Sequence, residues 1–114
     1  MKNIKDYYNF WWENPLDIRS LVIDRLYDVF LKNLPMAKNE KALDLGSGKG
    51  RIVSFLITNS YLVTGVDINE DFVKVLKDKF SQGEFYQGDV VKVVGDLSGK
   101  KFDVVTCLEL LQNL

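Results

Sequence analysis

Residues 43–51 read LDLGSGKGR. A short apolar run carrying one aspartate leads into three glycines, each separated from the next by one residue. Glycine belongs where the backbone must take positive φ, or where a Cβ would hold another group away. The run before the glycines, ALDL at 42–45, reads as a short strand. The run after them, RIVSFLITN at 51–59, reads as a helix. The glycines therefore occupy a strand-to-helix turn. In a doubly wound sheet, ligands bind beyond the carboxyl ends of the strands, at turns of this kind.

The sequence downstream keeps alternating. YLVTGVDI at 61–68 reads as a second strand, and Asn69, Glu70 and Asp71 open a helix with a capping residue and two acids suited to its first turn. Apolar Phe72, Val73, Val75, Leu76 and Phe80 partly follow helical spacing. GEFYQGDV at 83–90 is a third strand with a polar exit, and VVKVVGDLSG a short helix or turn. KFDVVTCLEL at 101–110 is a fourth strand running into another helix. Strand and helix in alternation predict an α/β fold with a parallel sheet and right-handed crossovers. Val104 and Val105 side by side predict a fourth strand buried on both faces.

Upstream the texture differs. Tyr7, Tyr8, Phe10, Trp11 and Trp12 crowd together, and then Asn14, Pro15 and Asp17 supply a helix start. Ile18, Val22, Leu26, Val29 and Phe30 form one apolar stripe before Pro35 closes the segment, giving a helix of about five turns. The expected organisation is an aromatic-rich helical segment at 1–36, serving as a lid or packing on the sheet, and a nucleotide-type binding domain at 37–114.

Composition bounds what such a domain does. The 114 residues carry a net charge of −1 and no histidine. That charge gives no global pull toward nucleic acid or anionic membrane. No apolar run approaches the ~20 residues of a membrane span. The single cysteine, Cys107, excludes an internal disulfide and a multi-cysteine metal site, so no metal is expected and a cytoplasmic setting fits. Without imidazole, the commonest general base is missing.

Three glycine patterns compete for the turn. A phosphate-binding loop needs GxxxxGK followed by serine or threonine, whereas Lys49 is followed by Gly50. A dinucleotide fingerprint counted from Gly46 places Arg51 where a small residue is wanted. The pattern DxGxGxG is met in full by Asp44, Gly46, Gly48 and Gly50. With it, ALDLGSGKGR closely resembles motif I of the class I S-adenosylmethionine-dependent methyltransferases. VTGVDIN resembles their second motif, FYQGDVV their third and FDVVTCLELLQNL their fourth. The resemblance covers about residues 40–114, in the right order.

The resemblance implies a Rossmann-like sheet of order 3-2-1-4, continued in the family by strands that this sequence does not supply. On that basis strand four is an open edge, and the chain is a fragment, a shortened chain or an oligomer completed by a partner. Self-association through residues 102–114 is expected. The resemblance also implies a cofactor, S-adenosylmethionine, with S-adenosylhomocysteine as product. Its implied binding set is Asp44, Leu45, Gly46, Ser47, Gly48, Gly50, Asp67, Ile68, Asp89, Val90, Cys107 and Leu108. Asp44 would help bind the ammonium group, Asp67 the ribose hydroxyls, and Ile68 one face of adenine. Asp89 and the Val90 N–H would meet the adenine edge, with Cys107 and Leu108 near the methionine tail. For Asp67 and Asp89 the plainer alternative is a loop acid at a helix start.

Two function classes remain open. One is an enzyme of class EC 2.1.1, transferring a methyl group to a small-molecule acceptor, with the 114 residues short for activity alone. The other is a methyltransferase-like remnant that binds the cofactor or a protein without catalysis. A nicotinamide-dependent oxidoreductase is a weaker third. No catalytic residue is assigned. The segment CLELLQNL lacks the Pro-Pro-Tyr type of tetrad tied to amino-group methylation of bases and glutamine.

Overall fold

The computed structural model describes residues 32–108 together with Arg25 and Val29. The chain divides into two compact units, Met1–Pro35 and Met36–Leu114. In the first, Arg25, Val29 and Lys32 are helical, and the Asn33 side-chain amide donates to the Val29 carbonyl at 2.7 Å. The aromatic cluster at 7–12, the rest of the expected first helix and the helix expected after residue 108 lie outside the described residues.

The second unit alternates strand and helix. Its elements are β1 (Lys41–Leu45), α1 (Arg51–Thr58), β2 (Leu62–Asp67), α2 (Glu70–Lys79), β3 (Glu84–Gln87), α3 (Val90–Asp96) and β4 (Val104–Thr106). The strands form one sheet of order β3-β2-β1-β4, with every pair parallel. That is the Rossmann-like order expected from the sequence. The register sets Asp44 beside both Gly65 and Thr106, and Asp67 beside Gln87. The carboxyl ends of all four strands therefore meet at one end of the sheet.

Side-chain alternation along parallel strands divides the core between two faces. Leu43 and Val66 pack with Val93 and Leu97 around α3, and Leu45, Val90 and Phe102 border this cluster. Asp44, Gly65, Phe85 and Thr106 belong to the other face by register. Phe80, which ends α2, meets Phe85 of β3 with ring centroids 6.3 Å apart. Leu56 of α1 and Leu76 of α2 are fully buried. Burying a leucine side chain of this kind contributes about 1.5–3 kcal/mol relative to exposure.

The helix starts follow local chemistry. Asn69 caps α2, its side chain accepting from the Asp71 and Phe72 N–H groups, as the sequence predicts. Asp89 caps α3 by accepting from the Val91 N–H. Gly50 caps α1 at φ 96°, and a Cβ there would lie 2.7 Å from both Leu76 and Phe80. The last glycine of the turn thus lets α1 and α2 meet.

The double burial expected for β4 is not what the structure has. Val105 is 57% exposed and Val104 half-buried. The physical reason is position. β4 ends the sheet, so Val105 has a strand on one side only among the described residues.

Gly65, in the middle of β2, marks the tightest approach inside the sheet. A Cβ there would sit 2.7 Å from Ser47 Oγ and 2.8 Å from a Phe85 ring carbon. Gly65→Ala should therefore destabilise the fold by about 1–3 kcal/mol, the usual range for overpacking. Urea denaturation measures it, and an unchanged midpoint would mean that Phe85 and Ser47 move aside freely.

Candidate functional site

The glycine turn after β1 is bonded back onto the sheet. Gly46 and Ser47 N–H groups both donate to the Val66 carbonyl, at 2.8 and 3.0 Å. The Gly50 N–H donates to the Ser47 carbonyl at 3.0 Å. The Gly48 N–H donates to Asp67 Oδ2 at 2.8 Å. Gly46 and Gly48 reach this geometry at φ 76° and 56°. A turn that cradles phosphate keeps its N–H groups for the ligand. These four are already committed within the protein.

Asp67 joins two loops. Besides Gly48, it accepts from the Asn69 N–H through Oδ1 at 2.8 Å. Burial raises its carboxyl above the ordinary range, and the two N–H donors partly oppose that. A carboxylate oxygen has two acceptor positions, so each oxygen keeps one for a further donor. The third loop is tied in as well. The Gly88 N–H donates to the Asp67 carbonyl at 3.0 Å, and the Gln87 side-chain amide donates to the Ile68 carbonyl at 3.0 Å.

Asp44 lies under the turn and is 1% exposed. Its Oδ1 accepts from Thr106 Oγ1 at 2.6 Å, and its Oδ2 has no hydrogen-bond partner. Burial pushes its pKa up to about 6, with the Thr106 and Ser47 hydroxyls opposing and the Asp67 charge adding. Ser47 has one hydroxyl proton, and its geometry places that proton on the Asp44 backbone carbonyl at 3.0 Å. Thr106 is therefore the carboxylate's effective donor. An unpartnered acceptor in this position is costly in an empty fold and is suited to a cationic N–H donor.

The remaining expected residues fall into four groups. Ile68 is 54% exposed at the mouth of the β2 loop, and Val90, the first residue of α3, is half-buried against the α3 core. Asp89 is exposed, with Oδ1 engaged by its own helix, so the plainer reading as a capping acid holds alongside any ligand role. Leu45 borders the α3 core, and Gly50 faces α2. Cys107 and Leu108 are half-buried beyond β4, and burial together with the Asp44 charge pushes the Cys107 thiol up. Sequence reasoning missed Thr106 and Gln87. A hydroxyl in the apolar run VVTC was the available signal for the first. For Gln87 there was none.

Among the described residues no cluster of three or more histidine, cysteine, aspartate or glutamate side chains is placed to hold a metal ion. None of their helices is long and apolar enough to cross a membrane.

A family model described as a methyltransferase domain matches residues 43–114. The chain belongs to this family. The methyltransferase fold recurs in solved structures. A SAM-dependent methyltransferase from Archaeoglobus fulgidus is 28% identical with a TM-score of 0.61, over 86% of this chain and 42% of that one. One from Thiobacillus denitrificans, in complex with S-adenosyl-L-homocysteine, is 26% identical with a TM-score of 0.59, over 72% of this chain and 35% of that one. Among curated relatives, a ubiquinone biosynthesis O-methyltransferase from Coxiella burnetii is 27% identical over 108 residues, 91% of this chain. The chain spans 46% of that relative's length.

Within this methyltransferase domain Asp44 makes a pH prediction. Its folded pKa of about 6 lies above its ordinary 3.8, so the folded chain holds the proton more tightly than the unfolded one. Its contribution to stability is therefore greatest below about pH 4, and is lost as pH rises through about 6. The stability advantage of Asp44→Asn over wild type should grow across that window, by on the order of 3 kcal/mol. Denaturant melts at a series of pH values measure the gap. A gap that stays flat would mean that the carboxylate is well solvated.

Proposed function

We propose that this domain binds S-adenosylmethionine at the carboxyl ends of β1, β2 and β3 and transfers its methyl group to a small-molecule acceptor. The observation that carries the reading is Asp44, a buried carboxylate with one oxygen unpartnered directly under a glycine turn. That arrangement suits a ligand carrying an ammonium group close to the backbone. It suits a pyrophosphate poorly, since four of the turn's N–H groups are committed within the protein and the nearest buried side chain is acidic. The nicotinamide reading loses ground on the same observation. The likeness to a methyltransferase crystallised with S-adenosyl-L-homocysteine supports the cofactor.

Each residue's part follows from what it has left to offer. Asp44 Oδ2 takes the ammonium group. Gly46 and Gly48 keep the turn free of side chains where the amino-acid end would lie. Asp67, with one open acceptor position on each oxygen, takes the two ribose hydroxyls as a fork. Exposed Ile68 covers one face of the adenine, and its loop is held by Gln87. Asp89 has its Oδ2 available for the exocyclic amine, and the Val90 N–H lies beside it. Leu45, Ser47 and Gly50 support the turn from below. Cys107 and Leu108 border the end where transfer occurs.

Bound there, the cofactor supplies an electrophilic methyl group on a sulfonium. The protein's share of the rate comes from fixing that group in line with an acceptor. The O-methyltransferase name of the relatives supports an oxygen acceptor. A cytoplasmic setting agrees with the single cysteine.

Asp67→Ala should weaken binding of S-adenosylhomocysteine by about 1–3 kcal/mol, the scale for losing a charged hydrogen-bond partner. Calorimetric titration measures this, with NAD as a control ligand for wild type. Undiminished affinity in a folded variant would place the ribose elsewhere, and preference for NAD would overturn the assignment.

A further inference from the structure

Thr106 is a hydroxyl at the end of an apolar strand, 3% exposed and beside Asp44 in the sheet register. Its Oγ1 lies 2.6 Å from Asp44 Oδ1 and 3.5 Å from the Leu43 carbonyl oxygen. The first distance is that of an O–H donating to a charged oxygen, and the second is the outer limit of a hydrogen bond. A hydroxyl donates one proton and accepts others. Thr106 therefore has a partner in either state of Asp44. When the carboxylate is charged, Thr106 donates to Oδ1. When Oδ1 carries a proton, that proton is donated to Thr106 Oγ1, and the threonine's own proton turns to the Leu43 carbonyl. Valine has the same branched shape, suits an apolar strand as well, and does neither.

We propose that Thr106 is a positioning residue for ligand capture: its hydroxyl holds the Asp44 carboxylate by Oδ1, leaves Oδ2 open under the glycine turn, and so sets the pH at which the site accepts a cationic group. This rests on the cofactor reading above. The described titratable groups that act on Asp44 or respond to it come from two other places in the fold. Asp67, ending β2, adds negative charge and favours the protonated form of Asp44, though burial is the larger cause. Cys107, just past β4, has its thiol raised from 9.0, by burial first and then by the Asp44 charge, so it is neutral in the range where Asp44 titrates. Thr106 acts against burial, favouring the charged carboxylate. Its removal therefore moves the titration of Asp44 upward.

The test is calorimetric binding of S-adenosylhomocysteine to the full chain from about pH 5 to about pH 8, for wild type, Thr106→Val and Thr106→Ser. Wild-type affinity should fall on acidification with a midpoint near pH 6. In Thr106→Val that midpoint should move up by about one pH unit, so that most of its deficit is recovered at the alkaline end. Thr106→Ser should restore the wild-type midpoint. A threonine that only packs would lower affinity equally at every pH, and an unmoved midpoint in Thr106→Val overturns the proposal. Carboxyl-carbon NMR of Asp44 in the ligand-free chain supplies a second measure, which serves also if Thr106→Val does not fold. Thr106→Ala should raise the Asp44 midpoint and Thr106→Ser should keep it, and no rise in Thr106→Ala overturns the proposal. A shifted Asp44 titration without any binding of S-adenosylhomocysteine would sink the cofactor reading while upholding the hold of Thr106 on Asp44.

Discussion

A carboxylate buried in the sheet with one bare oxygen is the constraint around which this site is arranged. Asp44 occupies β1, the inner strand between β2 and β4, on the face shared with Gly65 and Thr106. Desolvation makes its charge expensive and pushes the pKa to about 6. An apolar residue there would stabilise the empty fold. Retaining an acid is intelligible when a ligand supplies the missing positive donor. Local strain and unsatisfied polarity of this kind concentrate at functional sites, where the fold gives up stability for a prepared geometry.

The loops around Asp44 are tied to one another by bonds between side chains and backbone. The Asp67 carboxylate clasps the Gly48 and Asn69 N–H groups and fixes the β1 and β2 loops together. Gln87 and Gly88 fasten the β3 loop to the same place. Three strand ends thus form one connected rim, which is the usual location of a ligand in an open α/β sheet. Four N–H groups of the glycine turn are likewise committed, to the Val66 and Ser47 carbonyls and to Asp67. The loop chemistry thereby argues for a ligand recognised through its positive charge and hydroxyls.

Much of this is legible in the sequence, and the physical reason differs by residue. The order of strand and helix follows from apolar runs and turn residues, and Asn69 announces its own capping role. Asp44, Gly46, Gly48 and Gly50 are visible because they lie within a few positions of one another. Thr106 is 62 residues from Asp44 in the chain, so only the sheet register brings the two together. Gln87 reads as a polar strand end until the structure shows its bond to Ile68. Val105 looks like an interior strand residue because its apolar character is real, whereas its exposure depends on what lies beyond β4. Gly50 reads as a ligand contact from the motif, but the spatial neighbours that require it to be glycine are Leu76 and Phe80.

The central claim is that the Asp44 carboxylate stays partly protonated until a cationic ligand arrives. Proton release on binding tests it most directly. Calorimetric titrations of S-adenosylhomocysteine near pH 6, repeated in buffers of different ionisation enthalpy, give the number of protons exchanged. The account predicts release of about half a proton per ligand by wild type and none by Asp44→Asn. Binding by wild type with no proton release, or with the same release by Asp44→Asn, would contradict it.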